Sequence, residues 1–444
     1  MRKLLIFSLL IAMGVLIAVD LVTSTTIGYP DAKKVLNMAT TIWYSPQSPS
    51  ESMKEYLIKV WADWARMNPE WKVNLTILSG TISERMTKLL QMCQMGNPPD
   101  VGPVDSFWLS RFYDYLQPLD EFFSEEEIND FFPTFLKMMR DPKTGELKAL
   151  WLNTDVRVLF YRKDLIPEPP KTWDELIKIA KELKSKHPEI LPLVFPASRA
   201  EGCMMTFILP LFWQQGGKLV DEKGKPIFFE GENKKYMINV FKLAKRLVDE
   251  GVLAPQSVNI AHEPEINQLL PAGNIAMFLG GNWQYADLEQ YIGEEGQKKW
   301  GMAMIPLIEG AKSPKTAAGG WTFGVFTKDK EKQAAAVRLL YKTWISAYAQ
   351  YKWAVWGIKP GVPVKFVPVR KSVYEDFKAM QSESMKVIME LLKYAGLRPG
   401  AAIYPTISSE LSAALSEVVA AGADPEKVLE KAWKNVLRAY EKLK

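Results

Sequence analysis

Apolar and polar positions alternate through Trp151–Tyr161. Val156, Val158 and Phe160 fall on one face, and Asp155, Arg157, Leu159 and Tyr161 on the other. A period of two with β-branched and aromatic side chains predicts a strand. Pro167, Pro169 and Pro170 stop it. Thr172 with Glu175 three residues on has the form of a capping box. Leu176, Ile179, Ala180 and Leu183 then recur at helical spacing, which predicts a helix over 173–186.

The same two periods organise the rest of the chain. Strands are predicted over 35–44, 72–78 and 100–104, with helices over 51–68 (Leu57, Val60, Trp61, Trp64, Met67) and 82–95 between them. This β-α-β-α-β order argues for a mostly parallel sheet covered by helices. Further strands are expected over 192–196, 274–279, 300–306 and 321–326. Further helices are expected over 234–250, 265–270, 332–345, 408–422 and 425–443. The small-residue stretch 312–320 and the segment 362–369 read as connections between two halves. Residues 23–34 read as a polar linker.

Composition narrows the class. The chain has 444 residues, 48% of them apolar and 24% charged, as in ordinary globular proteins. Lys and Arg number 56 against 51 Asp and Glu, a net charge of +5 with the signs interleaved. This is not the clustered basic face that nucleic acid requires. Arg2 and Lys3 precede the uncharged run 4–19, the layout of an export signal or an uncleaved membrane anchor. Cys93 and Cys203 are far apart and read as two buried thiols, with a single bridge as the other option. His187 and His262 are the only histidines and lack partners at metal-ligand spacing. No H-E-x-x-H, P-loop or G-x-S-x-G occurs, so no metal or cofactor is expected. Fifteen Trp residues are an unusual load. They suit a protein that must meet flat apolar faces.

The order of elements resembles the extracellular solute-binding proteins of ABC transporters, family 1, the maltose-binding-protein group. The most specific match is Val158-Leu-Phe-Tyr-Arg-Lys-Asp-Leu165 followed by Pro169-Pro-Lys-Thr-Trp-Asp-Glu-Leu176, with Arg162 where the family usually has Asn. Weaker matches in the right order are Asn68-Pro69, Asn97-Pro-Pro-Asp-Val101, Ala272-Gly-Asn-Ile-Ala-Met277, Gly280-Gly-Asn-Trp283 and Val367-Pro-Val-Arg370. Together they span about residues 35–440. The resemblance implies a two-lobed periplasmic-binding-protein fold of the type II kind, each lobe an α/β layer with a mostly parallel sheet, joined by hinge segments. It places residues 35–152 and 321–367 in lobe 1 and 153–320 and 368–444 in lobe 2, after an N-terminal signal or anchor and linker over 1–34. Crossings are expected near 150–154, 314–321 and 366–370. It also implies an exported, monomeric binder that carries a sugar, expected to be an oligosaccharide, to membrane permease subunits, with no cofactor and no nucleic acid.

Sugars present apolar C–H faces that stack on aromatic rings, and hydroxyls that pair with carboxylates and guanidinium groups. Trp43, at the end of the first strand, is a candidate cleft wall against a packing role. Asp105 follows the third strand, where the family commonly has a polar ligand contact; the competing role is a helix N-cap. Trp108 and Trp213 divide evenly between site and core. Asp155 matches a position that often touches sugar in the family, with Arg157 on the same face; an ion pair is the competing reading. Trp283 resembles a ligand-stacking aromatic, with Asn282 beside it. Trp321 and Tyr404 complete the set. Trp61, Trp64, Trp173, Trp344 and Trp433 lie on helical stripes and read as core. A secreted glycoside hydrolase, needing two facing carboxylates, and a binder of peptides or another polar solute are the alternatives.

Overall fold

The computed structural model describes residues 20–358, 362–381 and 383–443. The apolar run 4–19 lies outside them. Among the described residues no helix is long and apolar enough to cross a membrane.

Among the described residues there are ten strands: β1 (Thr26–Gly28), β2 (Lys34–Thr41), β3 (Trp71–Leu78), β4 (Val101–Asp105), β5 (Leu150–Arg162), β6 (Leu191–Val194), β7 (Ile275–Gly281), β8 (Trp300–Ala303), β9 (Thr316–Val325) and β10 (Ala395–Leu397). They form one path in the order β1-β3-β2-β4-β9-β5-β7-β6, with β10 on β9 and β8 on β5. The expected parallel pairing holds for β2 with β3 and β4, and for β6 with β7. The sheet as a whole is mixed, because β9 runs antiparallel to β4 and β5, and β5 antiparallel to β7 and β8, whereas β10 lies parallel to β9.

Those two strands join the halves. The first part of β5, Leu150–Val156, pairs with β9, and its second part, Arg157–Arg162, pairs with β7 and β8. A third segment meets them at one residue. Thr154 exchanges backbone hydrogen bonds with Val367 at 2.8 and 3.0 Å, and its hydroxyl donates to the Gly319 carbonyl at 2.7 Å.

Helices predicted from the 3.6 period form where expected: Glu51–Met67, Ile82–Gln94, Trp173–Lys186, Gly231–Asp249, Tyr404–Ala421 and Pro425–Glu441. Their apolar stripes are buried, those of Gly231–Asp249, Tyr404–Ala421 and Pro425–Glu441 largely against one another. Trp61, Trp64, Trp173 and Trp344 are each 2% exposed or less, and Trp433 packs edge-on to Phe228 at 5.1 Å. Trp61 also donates to the Thr343 hydroxyl at 3.1 Å and stands edge-on to Trp344. Emptying such a site costs roughly 3–5 kcal/mol. Both cysteines are buried and free, as two unbridged thiols.

Several expectations are corrected. The polar stretch 23–34 is not a plain linker: β1 pairs antiparallel with β3, and Leu21 and Ile27 are buried. The loose connection expected over 312–320 is a strand from Thr316 onward. It carries no alternation because residues 316–320 are buried on both faces. The first strand stops at Thr41, and Ile42–Tyr44 form a 3-10 turn. The strand expected over 300–306 ends at Ala303. Thr172 does cap its helix, accepting from the Glu175 N–H at 3.2 Å, but Glu175 reaches back to the Lys171 N–H rather than to Thr172. Helices at Ala347–Val355, Lys371–Asp376 and Glu383–Lys393 have no counterpart in the sequence reading.

Candidate functional site

The carboxyl end of β4 pairs with the middle of β9 at Trp321, which faces Asn153 of β5, and open α/β sheets bind ligands at such strand ends. On β5 the side chains of Asn153, Asp155 and Arg157 point to one face, since alternate residues of a strand share a face. Opposite them in register stand Trp321, Gly319 and Gly281.

Asp155 is held through one oxygen. Its Oδ1 accepts from the Gly319 N–H at 3.2 Å and pairs with the Arg157 guanidinium. Arg157 in turn donates from Nε to Glu263 at 2.9 Å and lies 4.9 Å from the Trp283 ring. It is 7% exposed, and its two carboxylate partners hold it firmly charged. Asp105 is held in the same manner. Its Oδ1 accepts from the Phe107 N–H and from Arg398 Nη2, both at 3.2 Å. The N-cap reading of Asp105 is therefore met together with a place in the polar cluster. Burial raises the Asp105 carboxyl to about 6, against the opposing pull of Arg398.

Arg398 bridges to the other side. Its Nη1 lies 3.4 Å from Glu201, whose carboxylate accepts from the Tyr404 hydroxyl at 2.6 Å and from Ser408. Glycine at 319 keeps this approach uncrowded: a Cβ there would lie 3.2 Å from Arg398 Nη2 and 3.4 Å from Asp155 Oδ1 and would press on both. Gly320 adopts φ +144°, and a side chain there would strike the Asn153 carbonyl.

Aromatic rings border this polar floor. Trp321 and Trp283 are half-buried, and each has a guanidinium near its ring, Arg85 at 5.4 Å and Arg157 at 4.9 Å. Tyr44 is buried edge-on to Trp321. Desolvation first, then Asp155 and Asp105, push its phenol well above the usual range.

Of the residues expected from sequence, Asp105, Asp155, Arg157, Trp283 and Trp321 converge here, while Trp43 is 46% exposed in the turn that follows β2. Of the remaining four, three are buried and Trp213 is half-buried. Asn282 is fully buried, and both ends of its amide are spent on backbone: Oδ1 accepts from the Val156 N–H at 3.0 Å, and Nδ2 donates to the Val364 and Lys365 carbonyls at 3.0 and 3.3 Å. Tyr404 is buried, with its hydroxyl donated to Glu201 and its ring against Phe107. Trp108 is 5% exposed, packed on Phe107 and Arg111. Trp213 is half-buried and lies against Gly396, where a Cβ would meet the ring at 2.6 Å.

Sequence reasoning missed Arg398, Glu201, Glu263, Arg85 and Tyr44. Only Tyr44 carried a signal, as an aromatic beside Trp43 at a strand end. A groove of about 910 Å³ lies elsewhere, lined by Tyr56, Trp64, Tyr348 and Trp356, and none of the sequence-predicted site residues borders it. Among the described residues no cluster of His, Cys, Asp and Glu could hold a metal ion.

Comparison with known proteins gives consistent results. An ABC transporter-binding protein of Deinococcus radiodurans is 29% identical over 254 residues, which cover 55% of this chain and 58% of that protein's length. The maltodextrin-binding protein MdxE of Bacillus subtilis is 23% identical over 318 residues, 68% of this chain and 67% of MdxE. The structure of maltose-bound MalE3 from T. maritima superposes with a TM-score of 0.73 at 22% identity, covering 92% of this chain and all of that one. This is the two-lobed periplasmic-binding-protein fold. The model for bacterial extracellular solute-binding proteins matches residues 50–350, and the chain belongs to that family.

Proposed function

We propose that the protein binds a sugar, of more than one ring, in the cleft between its lobes and delivers it to an ABC permease. The lobes comprise residues 35–152 with 321–367 and residues 153–320 with 368–444. The observation that carries the reading is the matched presentation of Asp105 and Asp155. Each is fixed through Oδ1 by a guanidinium and a backbone N–H, leaving Oδ2 outside these bonds. A sugar hydroxyl donates well to such an acceptor, and the charge assists the bond. Trp321 stands opposite Asn153, and Trp283 lies over Arg157. Those positions on β5 are four residues, or about 13 Å, apart. That spacing accommodates a ligand longer than one pyranose, stacked at both ends on faces the guanidinium groups do not occupy.

The protein acts as a monomeric carrier without catalysis, exported and either released or held by its apolar N-terminal run. In support, the strongest charges of the cleft are already paired, which suits a neutral solute. Titrating intrinsic tryptophan fluorescence against a panel of oligosaccharides tests this. Saturable change without product is the expected result. Glycoside turnover, or no response to any saccharide, overturns it.

A further inference from the structure

Arg398 stands out because its guanidinium serves two carboxylates that belong to opposite halves of the sheet path. Asp105 ends β4, beside β2 and β9. Glu201 opens a helical run packed against the Tyr404–Ala421 helix. Arg398 is 6% exposed. Its plane lies 4.3 Å from the Phe107 ring, and Nη2 also sits 3.5 Å from the Ser106 hydroxyl. Every group that holds it is itself held. Phe107 packs on Tyr404 at 5.8 Å, and both oxygens of Glu201 carry hydroxyl donors. A planar fork with fixed donors keeps a bidentate arrangement that a flexible ammonium does not. Its Nε is buried without a partner, so the side chain is not placed to maximise its own hydrogen bonds. A buried pair of this kind is poor evidence for stabilisation, because desolvation offsets the attraction. Its value lies in orientation.

We propose that Arg398 is a positioning residue of the cleft, fixing the Asp105 carboxylate as an oriented acceptor for a solute hydroxyl. This rests on the reading of the cleft as the binding site. The charged and titratable groups around Asp105 are Arg398 and Arg85, which favour its anion, and Asp155, Glu201, Tyr44 and Tyr404. With Arg398 absent, burial and the acids act on Asp105 without their main counterweight.

The test follows the titration of Asp105 in the ligand-free full chain, by tryptophan fluorescence or side-chain NMR. Asp105→Asn identifies the signal by abolishing it. The wild-type midpoint is expected near 6. Arg398→Met should move it up by about one unit or more, and Arg398→Lys by less. A second arm measures the Kd for maltotriose across the same pH range. Affinity should fall as Asp105 gains its proton, and that fall should move to higher pH in Arg398→Met. An unmoved midpoint in variants that keep the wild-type circular dichroism overturns the proposal; if Arg398→Met fails to fold, Arg398→Lys carries the comparison alone. A wild type that binds no saccharide refutes the sugar reading and leaves the first arm to decide the positioning role.

Discussion

Asn282 offers a clean discrimination between a ligand contact and a structural clamp. The sequence reading put it beside Trp283 as a contact. In the fold its amide joins β5, through Val156 N–H, to the Val364 and Lys365 carbonyls of the third crossing. Its own N–H donates to the Val156 carbonyl at 3.0 Å. Asn282→Ala keeps that last bond and removes the other three. One buried backbone donor and two carbonyls are left without their partner. Each such group costs about 1–3 kcal/mol, although Lys365 lies closer to water. A loss of about 3 kcal/mol follows. Urea unfolding followed by tryptophan fluorescence should show a lower midpoint with an unchanged slope. Asn282→Asp should be worse at neutral pH, because a carboxylate would face two carbonyl oxygens. Its folded-state pKa is then raised, so stability should recover as pH falls and the acid regains a proton to donate. The reasoning fails if Asn282→Ala keeps its midpoint within about 0.5 kcal/mol while saccharide affinity drops tenfold.

Trp283→Ala should weaken binding of a saccharide ligand by about 2 kcal/mol, roughly 30-fold in Kd by calorimetry; an unchanged constant removes Trp283 from the site. Asp105, raised to about 6, favours the protonated form in the folded state. Its contribution is thus present below its ordinary range and is lost as pH rises through 6, on the order of 2–3 kcal/mol; Asp105→Asn should flatten the stability profile between about pH 4 and 7. Gly319→Ala should cost about tenfold in affinity with little change in unfolding midpoint, since the added methyl meets only Arg398 Nη2 and Asp155 Oδ1 inside 3.5 Å. Burial pushes the Cys93 and Cys203 thiols up to about 11 and 12, so alkylation at pH 8 should be slow in the folded protein and complete in urea.

Much of the architecture could be read from period alone, and the exceptions have physical reasons. The Trp173–Lys186 helix shows its apolar stripe because one face meets water. Thr316–Gly320 shows none because both faces are covered, and the residues there are small so that Arg398, Asp155 and Trp151 can approach. Acidic and aromatic candidates were legible in the sequence, Asp105 and Trp283 at strand ends and Asp155 by alternation within a strand. Arg398 was not, because its partners lie 293 and 197 positions earlier in the chain. Nothing local marks an arginine whose role is set by such distant carboxylates. Asn282 misled for the opposite reason. It neighbours a candidate aromatic in sequence, yet the chain turns its amide inward to the backbone.

The meeting of three chain segments at Thr154 has a mechanical consequence. Two of them, β5 and β9, are strands paired across the junction, and the third is tied to Thr154 by two backbone bonds. Rotation of one lobe on the other then resembles flexing a leaf spring more than swinging a door on a pin. Small changes of twist are shared along several residues of each strand, and no single torsion needs to travel far. Amide protons at Thr154 and Val367 should consequently exchange slowly even where the molecule bends most.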